Sequence, residues 1–231
     1  MSEYARTTPV SEFDPARVRA VVFDFDGTLA ETNIDFALMR QRVLEVAERW
    51  GLSERLNPRR YILEIVDDAA ALLAPDDAAR FRAETAEAMV QVELLSTSTA
   101  SPYPGVPEAL AHLRACGRRV GIITRNCRVG VASVIDRHPL DHEVLLTRDD
   151  VVRVKPDPEH LHLALETLGV PAAETLMVGD HVTDIETGQA AGAFTAGVLT
   201  ANTTRAQFEE IGADLVLDSV ADLVGLFCLE E

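Results

Sequence analysis

The stretch Arg19–Thr28, with the sequence RAVVFDFDGT, constrains the fold of this chain more than any other. It begins as an apolar run rich in β-branched residues, which is typical of a buried parallel strand. It ends in two carboxylates, Asp24 and Asp26, followed by Gly27. Because side chains alternate along an extended chain, we expect both carboxylates on the same face, and glycine allows the backbone to approach a bound group closely. The stretch therefore predicts a functional site at the end of a buried strand.

The segment after this first strand predicts helices. Its apolar residues recur three and four positions apart, and it is rich in Ala, Leu and Glu. The predicted helices cover residues 34–50, 58–74 and 75–95. Residues 96–105, with the sequence STSTASPYPG, have the composition of a linker and close this helical insert.

From residue 106 onward, short apolar strands alternate with helices. The predicted strands are 119–124, 143–147, 175–178, 193–199 and 214–217, and the predicted helices are 107–116, 129–137, 157–168 and 184–191. This alternation predicts an α/β fold with a doubly wound, mostly parallel sheet. We therefore expect an N-terminal arm (residues 1–18), an α/β core (19–32 and 101–231) and an inserted helical domain (33–100).

Composition limits the partners of the chain. A net charge of −17 over 231 residues argues against a nucleic-acid surface, which requires clustered Lys and Arg. No apolar run approaches the ~20 residues that span a bilayer, and the first residues do not have the pattern of a secretory signal, so we expect no membrane insertion and a cytoplasmic location. A small phosphorylated metabolite is compatible with this charge, because a metal ion or one local positive group can overcome the general field. We expect a monomer or a homodimer.

Polar and charged side chains follow several of the predicted strands. Ligands of open α/β sheets bind at the carboxyl ends of the strands, so we expect these residues in one crevice. They are Asp24, Asp26, Thr124, Asn126, Lys155, Asp180 and Asp184. Crowded carboxylates repel one another unless a hard divalent cation binds them, and Mg2+ typically takes one or two carboxylates together with phosphate oxygens. The group predicts a Mg2+ site, with a hydroxyl, an amide and an ammonium group to bind phosphate.

These segments together resemble the haloacid dehalogenase superfamily. The resemblance rests on four motifs in the superfamily's order: DFDGT, Thr124 with Asn126, Lys155 with Pro156, and GDHVTD at Gly179–Asp184. Lys155 is also the only lysine in the chain. The resemblance covers residues 19–32 and 100–220, and the helical insert resembles the cap of phosphoglycolate phosphatase-like members.

The resemblance implies an aspartyl-phosphate mechanism. Asp24 would be the nucleophile that takes the phosphoryl group, and Asp26 would protonate the leaving alcohol and then deprotonate the hydrolytic water. Mg2+ would be bound by Asp24, the backbone carbonyl of Asp26 and Asp180, with Asp184 as a further ligand, either direct or through water. The implied activity is that of a Mg2+-dependent phosphatase acting on a small phosphomonoester metabolite, with a cap that closes over the substrate.

The resemblance also implies the phosphate-binding groups. Thr124 and Lys155 would hold the transferring oxygens, with Gly27 and Asn126 beside them. Arg125 is a departure from the pattern, since many relatives place Asn directly after the hydroxyl residue. It stays open at this point whether Arg125 or Asn126 contacts the substrate.

Several residues have weaker signals. Arg59 and Arg60, between the first two predicted helices of the insert, are candidates for substrate recognition, although a solvated basic pair is the more frequent case. His160 and His162 have no cysteine or carboxylate at metal-ligand spacing. We expect both histidines on the exposed face of a helix.

Three alternatives to a phosphatase stay open. A sugar phosphomutase of the same superfamily keeps every core residue and differs in forming an isomer instead of releasing phosphate. A phospho-accepting signalling module also combines clustered aspartates, Thr and Lys on a doubly wound sheet, but the aspartate pair spaced by one residue and the inserted helices do not match it. A catalytically silent binding protein is disfavoured because no core motif residue is missing.

Overall fold

The computed structural model describes residues 13–227. The chain divides into two compact units. The core unit comprises the chain up to Thr32 and again from Ala100, and the helical unit is Asn33–Thr99. Of the predicted N-terminal arm, residues 1–12 lie outside the described part. Its remainder forms a short 3-10 helix, Pro15–Arg17, and ends at the fully buried Val18.

Within residues 13–227, eight strands lie in the core unit, and six of them form one parallel sheet. The strands are β1 (Ala20–Phe23), β2 (Ala30–Glu31), β3 (Ser101–Pro102), β4 (Arg119–Ile123), β5 (Val144–Leu146), β6 (Thr175–Gly179), β7 (Phe194–Val198) and β8 (Leu215–Leu217). The sheet order is β5-β4-β1-β6-β7-β8 and every pairing is parallel, while β2 and β3 form a separate antiparallel pair. The predicted doubly wound α/β fold is confirmed.

Helices of the core unit cover both faces of this sheet, and the helical unit has helices of its own. Those of the helical unit are α1 (Phe36–Arg49), α2 (Ile62–Ala70) and α3 (Pro75–Thr97), and those of the core unit are α4 (Val106–Ala115), α5 (Arg128–Arg137), α6 (Glu159–Leu168), α7 (Val182–Ala191) and α8 (Arg205–Glu210). Val21 and Phe23 of the central strand pack with α4 and α5, whereas Ala20 and Val22 pack with α6. This strand is apolar throughout because it is buried on both sides.

The helical unit has an apolar core of its own. Val43 of α1 and Phe81 of α3 are fully buried in it. The rings of Trp50 and Phe81 meet edge to face with centroids 5.9 Å apart, and the indole Nε1 of Trp50 donates to Glu84 over 3.2 Å. Each helix of this unit thus buries an apolar stripe against the other two.

The predicted linker is the largest difference between expectation and structure. Its first residues continue α3 to Thr97, and Ser101–Pro102 pairs with Ala30–Glu31. The composition STSTASPYPG indicated a loop, but tertiary pairing and the end of a long helix decide its conformation. The second helix of the insert is shorter than predicted, beginning at Ile62 and ending at Ala70.

The prediction also omitted α8 and the 3-10 helix Val220–Gly225. α8 begins after Thr204, whose side chain accepts from the backbone N–H of Gln207 while the Gln207 side chain accepts from that of Thr204. This capping box is a sequence signal that marks the helix start. Among residues 13–227, no helix has the length and hydropathy needed to cross a bilayer.

Candidate active site

Asp24 follows β1 directly and lies at the centre of a buried charged cluster. Lys155 Nζ donates to Asp24 Oδ1 over 2.5 Å and to Asp184 Oδ1 over 2.7 Å. All three side chains are nearly inaccessible to solvent. Burial opposes the charge on Lys155, but the carboxylates of Asp184 and Asp24 outweigh it and raise the pKa of the ammonium group. Lys155 therefore carries a positive charge at the candidate nucleophile.

Asp180 is held against the turn that follows Asp24. Its Oδ1 accepts from the Thr28 hydroxyl over 2.8 Å, and its backbone N–H donates back to Thr28 Oγ1 over 3.0 Å. Gly27, with φ of 83°, lies in the left-handed region, and a Cβ at this position would lie 2.6 Å from Asp180 Oδ2. Only glycine meets both demands, so Gly27 makes room for Asp180. Its predicted role in phosphate binding stays a prediction.

Three carboxylates form the candidate metal site. Ligand oxygens of Asp24, Asp180 and Asp184 all lie within 4.8 Å of one another. Burial and the charges of Asp24 and Asp184 raise the pKa of Asp180 to about 8. Burial also raises the pKa of Asp184 to about 6, against the lowering effect of Lys155. Such mutual repulsion in a buried site is what a hard divalent cation relieves, so these residues fit a Mg2+ ion.

Asp184 has a second structural role. It stands in the first turn of α7, and its Oδ2 accepts from the backbone N–H of His181 over 3.1 Å. Because Oδ1 is bound by Lys155, both carboxylate oxygens already have protein partners. A carboxylate oxygen can accept a hydrogen bond and still bind a metal, so Asp184 can contact a cation directly or through water.

Asp26 has different partners from Asp24. Its Oδ2 accepts from the Thr124 hydroxyl over 2.9 Å, and its Oδ1 accepts from the Asn126 amide over 2.8 Å. Burial, followed by the charge of Asp24, raises the pKa of Asp26 to about 6. Because β1 ends at Phe23, the strand alternation that would put both aspartates on one face does not reach them. The two carboxyls are held by separate sets of residues, and Asp26 has the properties of an acid-base group.

The three predicted specificity residues lie in different units. Arg125 is half-buried in the core unit, where the Arg148 guanidinium donates to its carbonyl over 3.1 Å. Arg60 is in the helical unit and is engaged by two carboxylates, Glu64 at 3.0 Å and Asp68 at 2.6 Å. Arg59 is exposed in the same turn. Of the two neighbouring arginines, Arg60 is thus tied to α2, the helix that follows it, and Arg59 is the more available to a ligand.

Two side chains near Gly27 were not identified from the sequence. The Thr200 hydroxyl donates to the Gly27 carbonyl over 2.5 Å, and the Tyr103 hydroxyl donates to the Thr200 carbonyl over 3.3 Å. Thr28, which holds Asp180, was also not singled out, although its place in the DFDGT motif could have indicated it. Thr200 lies 173 residues from Gly27, and nothing in its local sequence indicates this contact.

The prediction that both histidines of α6 are exposed is correct for His162 and wrong for His160. His160 is fully buried, and its Nε2 lies 3.2 Å from the carbonyl oxygen of Leu146. The helical stripe that contains Leu161 and Ala164 carries His160 into the core as well. Burial lowers the pKa of this imidazole to about 4, so it is neutral at physiological pH.

Comparison with known proteins identifies the family of this chain. A family model described as Haloacid dehalogenase-like hydrolase matches residues 21–198. Pyrophosphatase PpaX from Bacillus cereus is 33% identical over 219 residues, which is 90% of this chain and 95% of the relative. A solved structure from Thermotoga maritima, provisionally assigned as a β-phosphoglucomutase, has 26% identity and a TM-score of 0.58 and covers 90% of this chain and 98% of that chain.

A second solved structure, provisionally assigned as a phosphoglycolate phosphatase from Lactobacillus plantarum, has a TM-score of 0.64 at 24% identity. It covers 91% of this chain and 99% of that chain, and the likeness concerns the fold. The chain belongs to the haloacid dehalogenase-like hydrolase family, as its four motifs predicted. The prediction that it is an enzyme is confirmed with it.

Proposed function

We propose that this member of the haloacid dehalogenase-like hydrolase family is a Mg2+-dependent phosphatase of a small phosphorylated metabolite. The observation that carries the proposal is the contact of Lys155 with Asp24 beside two further carboxylates. This arrangement supplies a carboxylate nucleophile, a fixed positive charge and a cation site within one buried cluster. Asp26, held a short distance along the chain, supplies the acid-base group.

The first half of the reaction transfers the phosphoryl group to the protein. A carboxylate oxygen of Asp24 attacks phosphorus, the ester bond to the leaving oxygen breaks, and Asp26 gives its proton to that oxygen. Lys155 and Thr124 hold the transferring oxygens while their charge redistributes. The raised pKa of Asp26, about 6, leaves a usable protonated fraction near neutral pH.

The second half returns the enzyme to its starting state. A water molecule gives a proton to the Asp26 carboxylate and attacks phosphorus, and the bond from phosphorus to Asp24 breaks. Free phosphate is released, and Asp26 again carries the proton it needs for the next cycle. One group thus acts as acid and then as base, which requires that it stay in one orientation through both steps.

Mg2+ would be held by the carboxylates of Asp24 and Asp180 and by the backbone carbonyl of Asp26, with Asp184 as a further ligand, either direct or through water. The cation supplies positive charge that lets an anionic phosphate approach an anionic nucleophile. Thr28 orients Asp180, and Asp184 orients Lys155. These two residues thereby set the separation between the cation site and the ammonium group.

The substrate class is narrowed by the relatives. Because a relative 33% identical over most of this chain is named a pyrophosphatase, pyrophosphate is one candidate and an alkyl phosphate metabolite is the other. The two candidate substrates differ in their leaving groups. Phosphate is a good leaving group that depends little on proton donation, whereas an alkoxide depends on it strongly. The half-buried carboxyl of Asp26, whose pKa is raised to about 6, favours an alkyl phosphate.

A sugar phosphomutase is the second candidate. A structural neighbour at 26% identity bears that assignment, and a mutase would use the same core residues. The two activities separate by product: a phosphatase releases one phosphate per substrate consumed, whereas a mutase forms an isomer and conserves the ester. Phosphate release measured against substrate consumption distinguishes them directly.

Replacing Asp24 by Asn tests the proposed function. The variant keeps the shape of the side chain but lacks the nucleophile, so phosphate release with excess Mg2+ should fall at least about 1,000-fold, which is typical for loss of a catalytic nucleophile. Asp149→Asn serves as the control, because Asp149 is outside the cluster and should keep wild-type activity. Full activity of Asp24→Asn would refute the assignment. A stable phosphoprotein without turnover would instead favour a signalling module.

A further inference from the structure

The side chain of Asn126 has only one orientation that satisfies its neighbours. It is almost completely buried, directly before the first residues of α5. The backbone N–H of Cys127 points at one end of the amide over 2.7 Å, and only the carbonyl oxygen Oδ1 can accept there. The NH2 group must therefore face Asp26, whose Oδ1 is 2.8 Å away.

This orientation constrains Asp26. An amide NH2 donates and cannot accept, so Oδ1 of Asp26 always receives a hydrogen bond from Asn126. The other partners of the carboxyl are the hydroxyls of Thr124 and Thr32, which can either donate or accept. A protonated carboxyl oxygen is a poor acceptor, so Oδ2 is the oxygen that can gain and lose a proton without breaking its hydrogen bonds.

We propose that Asn126 is a positioning residue that fixes the carboxyl of Asp26 and leaves Oδ2 to carry the transferred proton. This inference rests on the proposed function, since it assigns Asn126 a role in proton transfer to the leaving group. The Asn126 amide is engaged by protein atoms at both ends, with one N–H of its NH2 group directed at Asp26.

The consequence concerns one chemical step. When the phosphorus–oxygen ester bond breaks and the bond to Asp24 forms, the leaving oxygen takes the proton from Asp26 Oδ2. A carboxyl that rotates freely presents this proton poorly, and the loss grows with the basicity of the leaving oxygen. A 4-nitrophenolate leaves without a proton, whereas an unsubstituted phenolate gains more from one.

The test compares kcat/KM for 4-nitrophenyl phosphate and phenyl phosphate in wild type and Asn126→Ala, with Mg2+ present. This parameter reports the steps up to phosphoryl transfer, so slow hydrolysis of the aspartyl phosphate does not obscure the result. We expect the variant to lose about 10-fold or more on phenyl phosphate beyond any loss on 4-nitrophenyl phosphate, as partial loss of general acid catalysis. Asn126→Ser keeps a short donor and should recover part of this difference.

Thr195→Val is the matched control. It removes a partly buried hydrogen bond of 2.9 Å from a Thr hydroxyl to the carboxylate of Asp214. Thr195 lies near the amino end of β7, whereas the site residues follow the carboxyl ends of the strands. It should leave the ratio of the two substrates unchanged. If Asn126→Ala does not fold, the Asn126→Ser ratio decides the question alone.

An equal loss on both substrates in the Asn126 variants would overturn the inference and leave the proposed function standing. A wild-type enzyme that releases phosphate from neither of these substrates, nor from alkyl phosphates or pyrophosphate with Mg2+ present, would overturn the proposed function itself. The two failures are therefore distinct.

Discussion

Replacement of Gly27 should have two effects, strain in the backbone and displacement of Asp180. In Gly27→Ala the new Cβ would lie 2.6 Å from Asp180 Oδ2 and the backbone would keep a φ of 83°. We expect a loss of about 1–2 kcal/mol in the free energy of unfolding from the left-handed conformation. We also expect weaker Mg2+ binding and much lower activity, because Asp180 must move.

Gly117→Ala is the control for this prediction. Gly117 also has a positive φ, 73°, but a Cβ there would meet nothing within 4 Å. It should share the loss of stability, measured by denaturant unfolding, and keep its activity. Equal activity in the two variants would show that Asp180 does not depend on the space that Gly27 leaves.

The second prediction at the scale of single residues concerns the protonation of Asp180. Its pKa of about 8, raised by burial and by the charges of Asp24 and Asp184, means that the carboxyl is mostly protonated at pH 7 without a metal. A Mg2+ ion binds the carboxylate form, so binding should release about one proton at pH 7 and should tighten as the pH rises toward 8.

Calorimetric titration with Mg2+ in two buffers of different ionisation heat measures this proton release. Asp180→Asn should bind Mg2+ weakly and release fewer protons. Identical binding heats in both buffers at pH 7 would contradict the raised pKa of Asp180.

At the scale of elements, α6, which follows Lys155 in the chain, is linked to the sheet through His160. The Leu146 carbonyl at the end of β5 lies 3.2 Å from His160 Nε2 and accepts from the Thr124 backbone N–H over 3.0 Å. One carbonyl therefore joins α6 to the turn that carries Thr124. A neutral imidazole with its proton on Nε2 can make this bond, which agrees with a pKa of about 4.

Because His160 is buried and its pKa is lowered, the folding stability should depend on pH. Its pKa of about 4 in the folded state lies below the value of about 6.5 expected when unfolded. Below pH 6.5 the unfolded chain binds a proton that the folded chain does not, so folding stability decreases as the pH falls toward 4. The loss should approach about 3 kcal/mol from this residue.

Comparison of wild type with His160→Asn isolates that contribution. Asn is uncharged over this range, and denaturant unfolding at several pH values from 7 to 4 gives the difference. The gap in stability between the two proteins should shrink as the pH falls. A gap that stays constant would mean that His160 does not titrate between the two states.

Element patterns in the sequence predicted most of the sheet and its helices. β1 and α6 were predictable because apolar runs and helical stripes report burial. The β2–β3 pair was not, since two-residue strands have no periodicity and their pairing depends on distant residues. His160 was misplaced because a polar side chain on an apolar stripe was assumed to face solvent.

At the scale of the whole molecule, the candidate site holds a buried positive charge in a chain that is strongly negative as a whole. The net charge is −17, yet the only lysine is buried between Asp24 and Asp184. An anionic substrate must therefore rely on local groups. Lys155 supplies positive charge at Asp24, and the proposed cation would supply more.

The sequence order of the motifs identified the members of this site but not their contacts. Asp24, Asp180, Asp184 and Lys155 meet as expected because the ends of neighbouring parallel strands converge. The engagement of Asn126 by Asp26 depends on the orientation of one amide, which the sequence cannot specify. The same holds for Thr200, which reaches Gly27 from a remote loop.

The central claim is that Asp24 becomes phosphorylated during turnover. The most direct measurement mixes the enzyme with Mg2+ and 32P-labelled 4-nitrophenyl phosphate, quenches with acid within milliseconds, and locates the label by peptide mass spectrometry. The account predicts one phosphoryl group per active enzyme on the peptide that contains Asp24, and none in Asp24→Asn. Phosphate release by an active wild-type enzyme without any label on Asp24 would contradict it.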